Sequence, residues 1–153
     1  MADRLVIGIG NPDRGDDAVG RLALRRLRAR DPAGVRLLEL DGEATAVLAA
    51  MQGAGRVWLI DAAQSGAPPG AIHRIDPAMD DALLPHCTVS SHGFGVAQAI
   101  GLARAMGTLP RHCIVYAIEA ADFTVGALPS AEVMAAVDDV VRRIAAELAQ
   151  DGG

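Results

Sequence analysis

The sequence predicts an α/β fold: a three-layer sandwich in which a largely parallel, twisted sheet of about five strands is covered by helices on both faces. Three observations predict it. Apolar runs of strand length alternate with segments of helical period along most of the chain. Those runs are rich in Val, Ile and Leu with little polar alternation, as in strands buried on both faces. Glycine, proline and acidic residues mark the junctions. At 153 residues the chain fits one domain, 1–153, able to bury about 70 % of its unfolded surface.

The elements follow in order. Residues 5–10 form a short apolar strand, and a helix near 16–30 places Val19, Leu22, Ala23 and Leu27 on one face. Val35 to Leu40 is a second strand, closed by the Asp41-Gly42 turn. A helix over about 43–53 carries Ala46, Val47, Ala50 and Met51, and Gly53 and Gly55 end it. Arg56 to Asp61 is the third strand. Pro and Gly between Gln64 and Gly70 turn the chain into Ala71 to Ile75, a strand of mixed exposure. Residues 77–91 read as irregular. Val96, Ile100 and Ala103 then mark a helix that stops near Gly107, with Ser90 or Ser91 as its N-cap. Cys113 to Ile118 is another apolar strand. A long final helix buries Val133, Val137, Val140, Val141, Ile144 and Leu148, capped by Ser130, with Glu132 in its first turn.

Composition excludes several functions. One Trp, one Tyr and two Phe leave no stacking platform for single-stranded nucleic acid, and a net charge of -5 opposes phosphate backbones. The run Arg21, Arg25, Arg26, Arg28 and Arg30 is a helix's solvated side. With no stretch of about 18 apolar residues, no membrane partner is expected. Cys87 and Cys113 form no CxxC, and no apolar signal segment precedes the first strand, so free thiols and a cytoplasmic location are expected. The histidines His73, His86, His92 and His112 form no pair at helical metal-ligand spacing.

Chemistry concentrates at the first strand-to-helix junction. Gly8-Ile-Gly-Asn-Pro-Asp-Arg-Gly-Asp-Asp-Ala-Val-Gly20 begins like a dinucleotide fingerprint, but Asp13 stands where its third glycine belongs. Asp13, Asp16 and Asp17 would repel a pyrophosphate; the loop suits a cation. If the strand order is 2-1-3, a crevice opens at the carboxyl ends of the first and third strands. Adjacent strands lie about 4.8 Å apart, so Asp17 and Asp61 come within reach of one ion, and His92 can add an imidazole if the helix it begins returns antiparallel to the strands. Two oxygens and one nitrogen suit a divalent ion such as nickel or zinc and leave positions open. Each residue alone has a plainer reading: Asp17 as a helix-start acid, Asp61 as a turn former, His92 as an exposed loop or cap residue. Only a shared address favours the site. Asp16, about 100° around the helix from Asp17, is assigned to solvent or capping. Gly15 is expected to take a positive φ, Arg14 reads equally as a partner contact or a solvated side chain, and Glu119, at the end of the last strand, could line the same cleft but reads more simply as a surface acid.

Together with Ile60-Asp-Ala62, Ser90-Ser-His-Gly-Phe-Gly95 and Val115-Tyr-Ala-Ile-Glu119, that first motif resembles the nickel-iron hydrogenase maturation proteases. The similarity runs in order over roughly residues 4–148. It implies an endopeptidase that removes the C-terminal extension of a nickel-iron hydrogenase large-subunit precursor after nickel insertion, with nickel supplied by the precursor and no organic cofactor. It further implies metal contact and catalysis at Asp17 (Glu in some members), Asp61 and His92, and substrate selection at Asp41 and Gly42. A plain Asp-Gly turn explains the last two equally well.

The water could be activated by the metal or by Asp17 or Asp61 as general base. Ser90 or Ser91 as nucleophile is a weaker choice, and Cys87 or Cys113 weaker still. A peptidyl-tRNA hydrolase shares the Gly-x-Gly-Asn-Pro opening, but its following His-bearing run is missing here. A non-catalytic assembly chaperone of the same fold is the other alternative.

Overall fold

The computed structural model describes residues 3–11, 15–79, 95–121 and 124–152. Its strands are β1 (Arg4–Ile9), β2 (Arg36–Leu40), β3 (Arg56–Ala63), β4 (Ile72–Ile75) and β5 (His112–Glu119). The helices are α1 (Val19–Ala29), α2 (Ala44–Met51), α3 (Val96–Met106) and α4 (Ala131–Gly152), with a 3₁₀ turn at Gly15–Ala18 before α1. The strands form one sheet in the order β2-β1-β3-β5-β4. All neighbours are parallel except β4, which runs antiparallel to β5 at the edge. The expected 2-1-3 order is present.

Side chains alternate between two cores. Leu5, Ile7, Ile9, Val57, Leu59, Val115 and Ala117 pack under α2 and α3. Val6, Trp58, Ile60, Ile114, Tyr116 and Ile118 pack under α1 and α4. Every predicted apolar position of α4 lies in the second core: Val133, Val137, Val140, Val141, Ile144 and Leu148 are all buried. Each such side chain contributes about 1.5–3 kcal/mol of transfer free energy. The central strand β3 is buried from Val57 to Ala63, so both its faces read as apolar in the sequence.

Several boundaries differ from expectation for identifiable reasons. The helix expected from residue 16 begins at Val19, because residues 15–18 form the tighter 3₁₀ turn. Strand β3 continues two residues past Asp61, paired to β5 at Ala62↔Ile118 and Ala63↔Glu119. The N-cap of α3 is Gly95, not Ser90 or Ser91, which lie outside the described residues. Gly107 stops α3 as expected, at φ 71°. Glu43 caps α2 by accepting from the amides of Thr45 and Ala46.

Polar pairs hold the periphery. Glu39 on β2 accepts from Arg25 and Arg28 of α1, each at 3.1 Å. Burial raises the Glu39 carboxyl, but these two hydrogen bonds outweigh it and hold it below the usual carboxylate range. The Arg run is therefore exposed but largely paired: Arg25 and Arg28 meet Glu39, and Arg26 meets Asp138 of α4. Beneath α4, Glu147 accepts from Arg74 at 2.7 Å, from the Trp58 indole at 3.4 Å and from the Tyr116 hydroxyl. Among the described residues, no helix is long and apolar enough to cross a membrane.

Candidate functional site at the carboxyl edge of the sheet

Close backbone packing builds the site. A Cβ on Gly20 would lie 2.1 Å from the Ile9 carbonyl oxygen and 2.3 Å from that of Ile60, so only glycine lets α1 sit directly across the ends of β1 and β3. Gly10, at φ 150°, has the same relation to the turn: a Cβ there would lie 1.9 Å from the Asp17 carbonyl oxygen. Gly15 takes the expected positive φ of 54°. The glycines of the first motif thus seat an acidic turn on the sheet instead of cradling a phosphate.

Asp17 is thereby fixed over the end of β1. It is buried, and its Oδ2 accepts from the Asn11 amide at 3.3 Å. Asp61 follows Ile60, the last residue of β3 paired with β1, and is fully buried with Oδ1 accepting from the Ala62 amide at 2.8 Å. The two carboxylates therefore stand at the same end of adjacent strands, as the topology required. The Gly10 amide donates to the Leu40 carbonyl at 3.1 Å, which brings the Asp41-Gly42 turn beside the same loop. Asp41 is exposed, and its Oδ1 accepts from the Glu43 amide at 3.0 Å; Gly42 has φ 99°.

His92 lies outside the described residues, as do His86, Cys87 and Arg14. A hollow at the amino edge of the sheet is lined by Gly53, Gly55, Gly107 and His112, so α2 and α3 end there. Both helices consequently start at the carboxyl edge, and Gly95 is three positions after His92 in the chain. Among the described residues, no group of three His, Cys, Asp or Glu side chains gathers as a metal cup. The described part of the candidate centre is the carboxylate pair, a hard oxygen donor set that fits a divalent cation and needs a further ligand to favour a borderline one.

Two buried acids depart from expectation. Asp16 is fully buried, away from solvent: its Oδ2 accepts from the Ala121 amide at 2.7 Å and its Oδ1 from the Ser130 amide at 2.8 Å. It diverges from Asp17, as adjacent helical positions must. Glu119 is also buried, where a surface acid was expected; it accepts from the Ser65 amide at 3.0 Å, from the Ser65 hydroxyl and, at 2.9 Å, meets His73 Nε2. Asp61 and His73 both pair with Ala117 of β5, so they share one row and one face, with Glu119 a step nearer the carboxyl edge. Neither burial had a local signal, since the partners lie 54 to 114 positions away for Ser65, Ala121 and Ser130.

Cysteine chemistry finds no support at Cys113. The thiol is free and buried, and burial, followed by the nearby Asp76 charge, pushes it up to about 12, far from the thiolate a nucleophile needs.

Comparison with known proteins gives a consistent result. A family model described as hydrogenase maturation protease matches residues 23–147. The hydrogenase expression/formation protein HupD of Thiocapsa roseopersicina is 26 % identical over 117 residues, covering 75 % of this chain. The match spans 53 % of that relative's length, about half of it. Among solved structures, the hydrogenase maturating endopeptidase HybD from E. coli superposes with a TM-score of 0.79 at 22 % identity, over 98 % of this chain and 94 % of that one. The [NiFe] hydrogenase maturation protease HybD from Thermococcus kodakarensis gives 0.73 at 26 % identity, over 95 % and 98 %.

Proposed function

Because this chain belongs to the hydrogenase maturation protease family, we propose that it is an endopeptidase that removes the C-terminal extension of a nickel-iron hydrogenase large-subunit precursor once nickel is in place. The observation that carries the reading is that a turn packed on Gly10 and Gly20 brings Asp17 to the end of β1, beside Asp61 on the adjacent strand β3. A family fold without that pair would bind a precursor and have no group to cut it.

In this reading nickel arrives as part of the substrate. Asp17, Asp61 and His92 contact it, and the Asp41-Gly42 turn, through its exposed Asp41, meets the precursor beside the cleft. The nickel marks a loaded precursor and withdraws charge at the scissile carbonyl or from a bound water. The chain's own residues orient that centre: Asn11 holds Asp17 through its backbone amide, and the Ala62 amide holds Asp61. Both carboxylates are buried, which strengthens their interaction with a cation and keeps bulk water from competing. A carboxylate in this pair also serves as general base when its second oxygen faces the water. No organic cofactor takes part.

The test is mass spectrometry of a cognate large-subunit precursor incubated with the protein, nickel-loaded against nickel-free. Loss of one defined C-terminal peptide from the loaded precursor alone is the expected result. Asp17→Ala, Asp61→Ala and His92→Ala are each expected to stop cleavage while leaving circular dichroism unchanged. Binding of the loaded precursor without any change in its mass would overturn the protease reading in favour of a chaperone.

A further inference from the structure

Asp16 is a carboxylate with no exposure to solvent, at the neighbouring position to a proposed metal contact, and it is held by two backbone amides from one distant connection. Those amides, of Ala121 and Ser130, frame the chain between β5 and α4. Ala121 donates to Oδ2 and Ser130 to Oδ1, with the Ser130 hydroxyl at 3.3 and 3.4 Å from the two oxygens. A carboxylate presents an acceptor to each amide at once. The isosteric amide of Asn presents one acceptor and one donor, and its NH₂ would face an N–H group.

On the other side, the turn rests on Gly10 at the Asp17 carbonyl, and Asn11 reaches the Asp17 carboxylate. The 3₁₀ turn is thus gripped from two directions: by the β1 end through Asp17 and by the β5–α4 connection through Asp16. A turn of four residues has little internal hydrogen bonding to fix its own orientation. External contacts must set where Asp17 points.

We propose that Asp16 is a positioning residue for the cleavage reaction: by binding the Ala121 and Ser130 amides it locks the 3₁₀ turn so that Asp17 is held in place opposite Asp61. The inference rests on the protease reading above. It assigns Asp16 no contact with substrate or metal, and it makes the β5–α4 connection, remote in sequence, a determinant of rate. Loss of the grip frees Asp17 to sample other orientations, which lowers the fraction of time the centre is assembled. Precursor affinity, set mainly by the surface around the cleft, is left nearly unchanged.

The experiment measures cleavage of the nickel-loaded precursor with protease in excess, which gives a rate constant at saturation and a half-saturation concentration for each variant. Asp16→Asn is expected to lose at least tenfold in the saturating rate with half-saturation unchanged, at a temperature where circular dichroism shows it folded. Ser130→Pro removes the second amide donor without altering the acidic turn and is expected to slow the reaction likewise. Leu148→Ala, in the α4 core away from the cleft, provides a variant destabilised by packing loss, whose folded fraction should cut at the wild-type rate. If Asp16→Asn and Ser130→Pro, corrected for folded fraction, cut as fast as Leu148→Ala, Asp16 is structural only and the proposal is overturned. If the wild type leaves the loaded precursor uncut, the protease reading itself is overturned, and this one with it.

Discussion

Replacing Gly20 by alanine sets two effects of known sign against each other. Gly20 lies in the first turn of α1, where alanine is favoured over glycine by about 1 kcal/mol through helix propensity. Sterics oppose this. The new Cβ would meet the Ile9 oxygen at 2.1 Å, the Ile60 oxygen at 2.3 Å and the Ile9 nitrogen at 2.6 Å. All three are backbone atoms of buried strands, so no side chain can swing aside, and α1 must lift by roughly 1 Å; overpacking of this kind costs up to about 3 kcal/mol. The steric term wins, and a net loss of about 2 kcal/mol is expected. For a domain of this size that lowers the thermal midpoint by roughly 4–8 °C. Gly101→Ala supplies the contrast: Gly101 is exposed within α3, nothing lies within 4 Å of its added Cβ, and only the propensity term operates. It should raise the midpoint by roughly 2–4 °C. Calorimetry on the two variants decides the matter. A Gly20→Ala midpoint at or above the wild type would refute the claim that close backbone approach at this glycine seats the acidic turn.

Two further outcomes follow from buried ionisable groups. Burial first, and then the hydrogen bond to Glu147, push Tyr116 up to about 12 from 10.0. A raised folded value means that the stability this phenol contributes is complete below pH 10 and is lost as pH climbs through about 12. Tyr116 is the chain's one tyrosine, so ultraviolet absorbance read against pH reports it alone, and a titration centred near 10 in the folded protein would contradict the geometry. Cys113 should resist alkylation at pH 8 in the folded protein and react on unfolding, as peptide mass mapping of the labelled chain would show.

The fold was legible because its signals are local. The shared face of Val19, Ala23 and Leu27 and the glycine stop at Gly107 each mark an element from within a few residues. Doubly buried strands also declare themselves as continuous apolar runs, which is why β3 and β5 were visible, though not their last residues: Asp61 looks like the end of β3 and Ile118 like that of β5 until the pairing of Ala63 with Glu119 shows that the ladder runs on. The site was legible in part. Asp17 and Asp61 could be placed at one edge once the order β2-β1-β3 was assumed, because parallel crossovers have one hand. Asp16 and Glu119 could not be placed. An acid before a helix or at a strand end is ordinarily solvated, and what buries these two are amides and a histidine contributed by other elements. Local sequence carries no trace of such partners.

The sheet order has a consequence for timing during synthesis. Strand β3 can pair with β1 as soon as both have emerged, but its other neighbour, β5, lies about fifty residues further along, and β4 must then find β5 instead of β3. Contacts this distant in sequence are slow to form. Asp16 waits longer still, for Ala121 and Ser130 at 105 and 114 positions' remove. A ribosome-bound chain that stops short of α4 therefore carries Asp17 on an unsecured turn and an uncovered face of Trp58, Ile60 and Tyr116. The buried seat of Asp16 is thus completed only as the start of α4 emerges, after the β1–β3 pairing that carries Asp17 and Asp61 to one edge.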